Sequence, residues 1–368
     1  MKKVLDIVSY TYLPYVSGGQ KSIALFLQNL GESSDLFVAG TKKNDTSSAT
    51  TYQLLPILNN NPKSYFDLIG LLSIIKTIKN QSIKTVIIEH PYIGWMGIVI
   101  KLFCKIKLII HTHNIEHLRF KSLGKIWWRI FSIYETSVLK FTDIVFCISQ
   151  EDKEHIINAM GILETKCHVM PYGILQNSIP TDKALNKTKI CESYNIDPKK
   201  PLILFNGLLS YAPNAEAVEF ILLEILPKLK KSNFEFNLII AGKGLSPELN
   251  ELKNYKSDGI IYAGYVDDID ALFTAADIFI NPVISGGGVK TKLIEALGMN
   301  CNCISTRSGS IGVDKTVCGE KLKISEDYNW DQFTEEIIKS SLTKSDIPNN
   351  FYRKYNWKCI ADECVKYI

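Results

Sequence analysis

The chain has 368 residues and a formal net charge of +4, from 42 Lys+Arg against 38 Asp+Glu, a balance that excludes a protein whose whole surface grips nucleic acid. Hydrophobic residues make up 46% and charged residues 22%, which excludes disorder, collagen and coiled coil, and the length exceeds what one core usually fills, so two domains are expected. Nine scattered Cys, an odd number, do not make a secreted disulfide framework and fit a reducing compartment.

In chain order, KKVLDIVSY has an apolar stretch broken by Asp6 and Tyr10, so it is expected to be a strand and not a signal peptide. Short β-branched runs follow at Leu36–Ala39, Thr85–Glu89, Leu108–His111, Ile144–Ile148 and Cys167–Met170, with helical segments between them and a polar surface loop over Thr41–Thr51. That alternation predicts a parallel, doubly wound sheet in an N-terminal domain, residues 1–175. The run from Ile98 to Ile110 contains Lys101, Lys105 and Lys107 and is too short and charged to span a bilayer. Residues 176–200 have linker composition with room for one short helix. A second series, Leu202–Phe205, Asn237–Ala241, Ile260–Tyr262, Ile278–Asn281 and Asn302–Thr306, predicts a second Rossmann-like domain over residues 201–350. Cys301 and Cys303 alternate in its last run and read as inward-facing core residues. Residues 351–368 place Tyr355, Trp357, Ile360, Ala361 and Cys364 at helical spacing, an amphipathic helix that must pack on something.

The most informative segment is Asn281–Gly298, NPVISGGGVKTKLIEALG. A strand end runs into Gly286, Gly287 and Gly288, then a helix closed by Gly298. Lys290 and Lys292 fall in the first turn, where the helix dipole and free N–H groups already favour an anion. The segment is a candidate phosphate cradle, and it is neither a Walker loop nor G-x-G-x-x-G. Glu295, one turn on, can accept from ribose hydroxyls or pair with Lys292. Gly18 and Gly19 repeat the glycine-before-helix device after the first strand, where doubly wound domains bind ligands. In LIIHTHNIEHLRF, His111, His113 and His117 lie just past a strand end, but nothing completes a zinc set, and no metal is expected.

Taken together, these residues resemble glycosyltransferase family 4, retaining nucleotide-sugar enzymes of GT-B fold. The resemblance runs along nearly the whole chain: Pro14–Gln20, His113-Asn114-Ile115-Glu116, Tyr134-Glu135, Asp143, Ser149, Pro171-Tyr172-Gly173, Phe205-Asn206-Gly207 with Pro213-Asn214, Ala241-Gly242-Lys243-Gly244, Gly264-Tyr265-Val266 and GGGVKTKLIEALG. It implies two Rossmann-like domains facing a crevice, with the C-terminal helix crossing back onto the first. It also implies that Gly18, Gly19, Gly207, Lys243, Val266, Gly286, Gly287, Gly288 and Lys290 bind the donor, and that His113, Lys292 and Glu295 serve the reaction, His113 touching the donor sugar. Two departures stand out. The family's first Glu would fall at Gly287, and its Arg and Lys would fall at Leu208 and Asn214, which leaves Lys290 and Lys292 to neutralise the diphosphate.

The function so implied is retaining transfer of a sugar from a UDP- or GDP-sugar to a hydroxyl acceptor, a glycan or a lipid-linked one, in polysaccharide or glycolipid assembly. No cofactor and no metal are expected. A sugar-nucleotide-binding protein without transfer activity and a GT-B epimerase are the alternatives. Residues 1–175 hold 19 Lys+Arg against 13 Asp+Glu, and residues 101–140 alone carry eight basic against two acidic residues, interleaved with Phe120, Trp127, Trp128, Phe131 and Tyr134. Basic residues beside exposed aromatics fit an anionic membrane surface; core aromatics with merely solvated lysines fit the same residues equally, so a cytoplasmic enzyme is expected, with peripheral membrane attachment as one of two readings.

Overall fold

The computed structural model describes residues 1–60 and 62–368. The chain divides into two compact units, residues 1–175 with 355–368, and residues 176–354.

The first unit is built on seven parallel strands: β1 (Lys3–Val8), β2 (Asp35–Thr41), β3 (Gln53–Leu58), β4 (Thr85–Glu89), β5 (Lys107–Thr112), β6 (Ile144–Cys147) and β7 (Cys167–Val169). Their order is β3-β2-β1-β4-β5-β6-β7. The central strands β1 and β4 are buried except for Lys3 at the start of β1, as expected where helices cover both faces of a parallel sheet. The second unit repeats the plan with β8 (Leu202–Asn206), β9 (Asn237–Ala241), β10 (Ile260–Gly264), β11 (Ile278–Asn281), β12 (Asn302–Thr306) and β13 (Leu322–Ser325), in the order β10-β9-β8-β11-β12-β13. Strand order reverses beside β1 and β4 in one sheet and beside β8 and β11 in the other. The loops leaving those strands are where doubly wound sheets bind ligands.

Two edge strands escape the sequence reading. β3 contains Pro56, which an edge strand tolerates because one of its sides donates to no neighbour. β13 is only four residues long. Residues 176–200, expected as a linker, belong to the second unit and carry a 12-residue helix, Lys183–Tyr194, which packs on the helix Ile269–Ala275 and pairs Lys187 with Asp277 at 2.7 Å.

The C-terminal segment is two helices, Asn349–Tyr355 and Trp357–Val365, and not one. Asn356 breaks them because its extended backbone bridges to Ile174 while its side chain caps the following helix, accepting from the Lys358 and Cys359 N–H groups. Trp357 is buried against Phe26 and Tyr172 of the first unit. Gly298 also departs from expectation. It is the last residue of its helix, and the left-handed position falls two residues later, at Asn300 (φ 61°), a side chain that tolerates that region. Among the described residues no helix is long and apolar enough to cross a membrane.

Candidate active site

In the second unit, the loop after β11 leads to the helix Thr291–Gly298, which has no acidic residue in its first turn and no side-chain cap. Gly286 and Gly288 take φ of 83° and 76°, so their glycine identity is a backbone requirement. Lys290 stands at the cap position, and its Nζ donates to the Gly286 carbonyl at 2.8 Å. Burial lowers its pKa, which makes an anionic partner there more favourable. Asn281 anchors the loop's start, donating to Ser305 Oγ (3.0 Å) and the Gly309 carbonyl (2.9 Å). A cavity of about 200 Å³ opens here, lined among others by Asn206, Tyr211, Asn214, Gly287, Lys290 and Lys292.

The remaining sequence-predicted residues of this unit lie outside that lining. Gly207 and Gly242 bring the loops after β8 and β9 together: a Cβ at Gly242 (φ 136°) would sit 1.7 Å from the Gly207 carbonyl oxygen. Lys243 follows, its carbonyl accepting from Leu209 N at 2.7 Å and its Nζ 3.9 Å above the Tyr265 ring. Val266 is half-buried beyond β10, and Glu295 is half-buried one turn into the loop's helix. A stability contrast follows. Gly242→Ala is expected to lower stability by about 2–4 kcal/mol, through both the clash and the positive φ. Gly287→Glu, whose Cβ meets nothing within 4 Å, is expected to stay within about 0.5 kcal/mol of the parent. Urea unfolding midpoints of the two variants check the pair.

In the first unit, Gly18 and Gly19 open the helix Gly18–Ser33 and are exposed, behind the N-cap Ser17. Gln20 ties the loop down, accepting from Val16 N at 2.9 Å and donating to the Thr11 carbonyl at 3.0 Å. A second cavity, of about 290 Å³, lies beside it, with Leu13, Tyr15, Leu25, Gln28, Thr50 and Tyr52 in its wall.

At the carboxyl ends of β4 and β5 the sheet carries a buried polar cluster. Glu89 and His111 are register partners on neighbouring strands. One Glu89 oxygen lies 3.1 Å from His111 Nδ1, and the other is hydrogen-bonded to His113 Nε2. Burial works against the Glu89 charge, but hydrogen bonds and attraction from the two imidazoles win and hold its pKa well below the usual range. Burial, with His111 and His90 alongside, pulls His113 down to about 4, so it is neutral near pH 7 and stabilises the carboxylate as an N–H donor, not as a cation. Asp6 of β1 is fully buried, and burial and Glu89 push its pKa well up.

Next to this cluster, His90 (φ 68°) stacks on Tyr92 and lies 3.1 Å from Tyr10 Oη. Its Nδ1 comes 3.3 Å from Glu116, without hydrogen-bond geometry. Glu116 bonds Arg119 Nε at 2.7 Å. Burial raises its pKa, but His90 and Arg119 outweigh this and hold it near 2. The Glu135 carboxylate accepts from the Glu116 and His117 backbone N–H groups and from His117 Nδ1 (2.7 Å). It therefore caps, from a different helix, a helix that has no cap of its own. Three potential metal-ligand atoms do converge, those of Glu89, His111 and His113, within 4.8 Å of one another; His117 goes to Glu135 instead. Sequence reasoning missed Glu89 and the role of Asp6. The available signal was a charge inside each of two central-strand apolar runs, where nothing charged is found without a partner.

The basic stretch 101–140 also differs from expectation. Phe120, Trp127, Phe131 and Tyr134 pack on one another, and Tyr92 joins Phe120 and Phe131. Of these aromatics only Trp127 is exposed, and Ile126, Ile130 and Ile133 face outward beside it, 94%, 73% and 71% exposed. Lys121 and Arg129 lie over the Trp128 ring.

Two Rossmann-like units with glycine loops at their switch points have the plan of the GT-B fold, and solved structures share it. HepE of Anabaena, in complex with UDP, superposes with a TM-score of 0.72 at 13% identity, over 100% of this chain and 99% of that one. WaaG, described as a glycosyltransferase involved in lipopolysaccharide biosynthesis, gives 0.63 at 12% identity, over 99% of each chain. A family model described as Glycosyltransferase Family 4 matches residues 21–175, and one described as Glycosyl transferases group 1 matches residues 200–340; the chain belongs to glycosyltransferase family 4. Among relatives, an uncharacterized 44.6 kDa protein of the Klebsiella pneumoniae cps region is 26% identical over 97% of this chain and 95% of its own length. The Escherichia coli UDP-Gal:alpha-D-GlcNAc-diphosphoundecaprenol alpha-1,3-galactosyltransferase is 25% identical over 68% of this chain and 64% of its own.

Proposed function

We propose that this glycosyltransferase moves a sugar from a nucleoside diphosphate sugar to a hydroxyl of a lipid-linked glycan, with retention, during assembly of a cell-surface polysaccharide. The observation that carries the reading is the loop after β11: a helix N-terminus with two lysines, no acidic residue in its first turn and a cavity in front. Such a site suits a diphosphate. Loop amides, Lys290 and Lys292 stabilise the departing diphosphate without a metal ion, and Glu295 accepts from the ribose. Lys290 exchanges its bond to the Gly286 carbonyl for a phosphate oxygen. Neutral His113 meets the sugar. The UDP bound by HepE and the diphosphoundecaprenol acceptor named for the Escherichia coli relative support the donor and acceptor classes.

The test is transfer from UDP- and GDP-sugars to a synthetic lipid-diphosphate glycan in the presence of EDTA, with product anomeric configuration read by NMR. Inversion overturns the stereochemical reading, and activity that needs a divalent ion overturns the metal-free one. Gly287, in place of the family's Glu, favours the second reading, nucleotide-sugar binding without transfer; donor binding with neither transfer nor hydrolysis would establish it.

A lipid-linked acceptor places the enzyme peripherally on the cytoplasmic membrane face. Ile126, Ile130 and Ile133 would enter the interface, with Lys121, Lys125 and Arg129 beside them. Each cation contributes about 1 kcal/mol near an anionic surface, so reversing all three to Glu is expected to weaken binding to anionic vesicles at least about 100-fold. Vesicle co-sedimentation at low salt checks this, and no binding by the parent protein leaves an enzyme that takes its acceptor from solution.

A further inference from the structure

We propose that Glu89 is a positioning residue for the transfer: it holds His113 in the Nε2–H tautomer, so that the ring meets the donor sugar with Nδ1 as its lone pair. This rests on the assignment of His113 to the reacting sugar. An ionised carboxylate only accepts. Each Glu89 oxygen faces one imidazole nitrogen, His111 Nδ1 at 3.1 Å and His113 Nε2 closer still, so both of those nitrogens carry protons. Only a carboxylate offers two separate oxygens that both accept.

The surroundings reinforce the assignment. Asp6 interacts with Glu89, and the His111 and His90 ring centroids stand 4.3 and 4.4 Å from that of His113; Glu89 in turn raises the pKa of Tyr10 and of Cys364. Among these groups Glu89 is the one held as an anion in contact with His113. A buried carboxylate is costly and adds little to stability over an apolar residue, whereas an imidazole tautomer is set by the bond its other nitrogen makes. The same three residues converge well enough to suggest a metal, yet a metal would need lone pairs on the two nitrogens that carry protons here.

Glu89→Gln separates the possibilities. Glutamine has one acceptor oxygen and an amide that donates, so one of the two imidazoles must change tautomer. Histidine ¹⁵N spectra of the parent are expected to show His113 as Nε2–H and His111 as Nδ1–H, and one of these to switch in Glu89→Gln. Turnover is expected to fall at least about tenfold with donor KM within about threefold, and Glu89→Asp, which keeps two acceptor oxygens, is expected to recover part of the loss. An Nδ1–H tautomer for His113 in the parent overturns the proposal, and that measurement needs no variant to fold. So does a stoichiometric metal in the purified parent that is lost in Glu89→Gln. Parental turnover in Glu89→Gln, with His113→Ala inactive, overturns the positioning role and leaves the His113 assignment standing. Parental turnover in His113→Ala removes that assignment and the positioning role with it.

Discussion

Replacing His113 by alanine is expected to lower turnover by about 10²- to 10³-fold while donor affinity stays within about threefold. The imidazole is buried and hydrogen-bonded to Glu89, so it is held in one orientation. Burial keeps its pKa near 4, so above about pH 5 it is neutral and adds no positive charge where a sugar cation develops. In the role proposed for it, His113 acts on the reacting sugar and contributes little to nucleotide binding, and its loss is therefore expected in kcat and in kcat/KM equally. The linkage sign follows from the lowered pKa. Between the unfolded value of about 6.5 and the folded value the unfolded chain binds the extra proton, so His113 makes the fold lose stability as pH falls through that window. His113→Ala removes this component of acid sensitivity. Steady-state kinetics with titration of donor binding decide the main point, and unchanged turnover contradicts it.

Lys290→Ala and Lys292→Ala are each expected to weaken nucleoside diphosphate binding about 10- to 100-fold, since a hydrogen bond to a charged group is worth about 1.5–3 kcal/mol. Their effects on the ligand-free protein differ. Lys292 lies in the first turn of its helix, where a cation opposes the helix dipole, so its removal is expected to leave the fold as stable or slightly more so. Lys290 donates to the Gly286 carbonyl, so its removal loosens the glycine loop. Glu295→Gln is expected to reduce affinity for the nucleotide more than for pyrophosphate. Calorimetric titration with UDP, GDP and pyrophosphate tests all three variants, and an equal loss for both ligand types assigns Glu295 to the fold instead of the ribose.

The strands Thr85–Glu89, Asn237–Ala241, Ile278–Asn281 and Asn302–Thr306 have the observed limits in the sequence reading, because a strand buried on both faces is a continuous apolar run between polar breaks. β3 and β13 were not legible, because β3 carries Pro56 inside a half-buried run and β13 is a four-residue run with Lys323 in it. The glycine loop after β11 was legible as a local string of glycines and lysines. The cluster at β4 and β5 was legible only in part: His113 stands in a motif, but Glu89 is 24 positions away, and no local pattern joins them.

By itself the sequence determined the alternation of strands and helices, the two-sheet plan and the glycine–lysine loop before a helix, because each depends on periodicity or backbone freedom within a few residues. Only the tertiary structure decided that Glu89 meets both His111 and His113, that Glu135 caps a helix not its own, and that three isoleucines face outward from 126 to 133 while Phe131 and Trp128 are half-buried. The reason is that neighbouring parallel strands are joined by a whole crossover. Which side chains meet across them is set by register and packing over the sheet, and those do not leave a trace in local spacing.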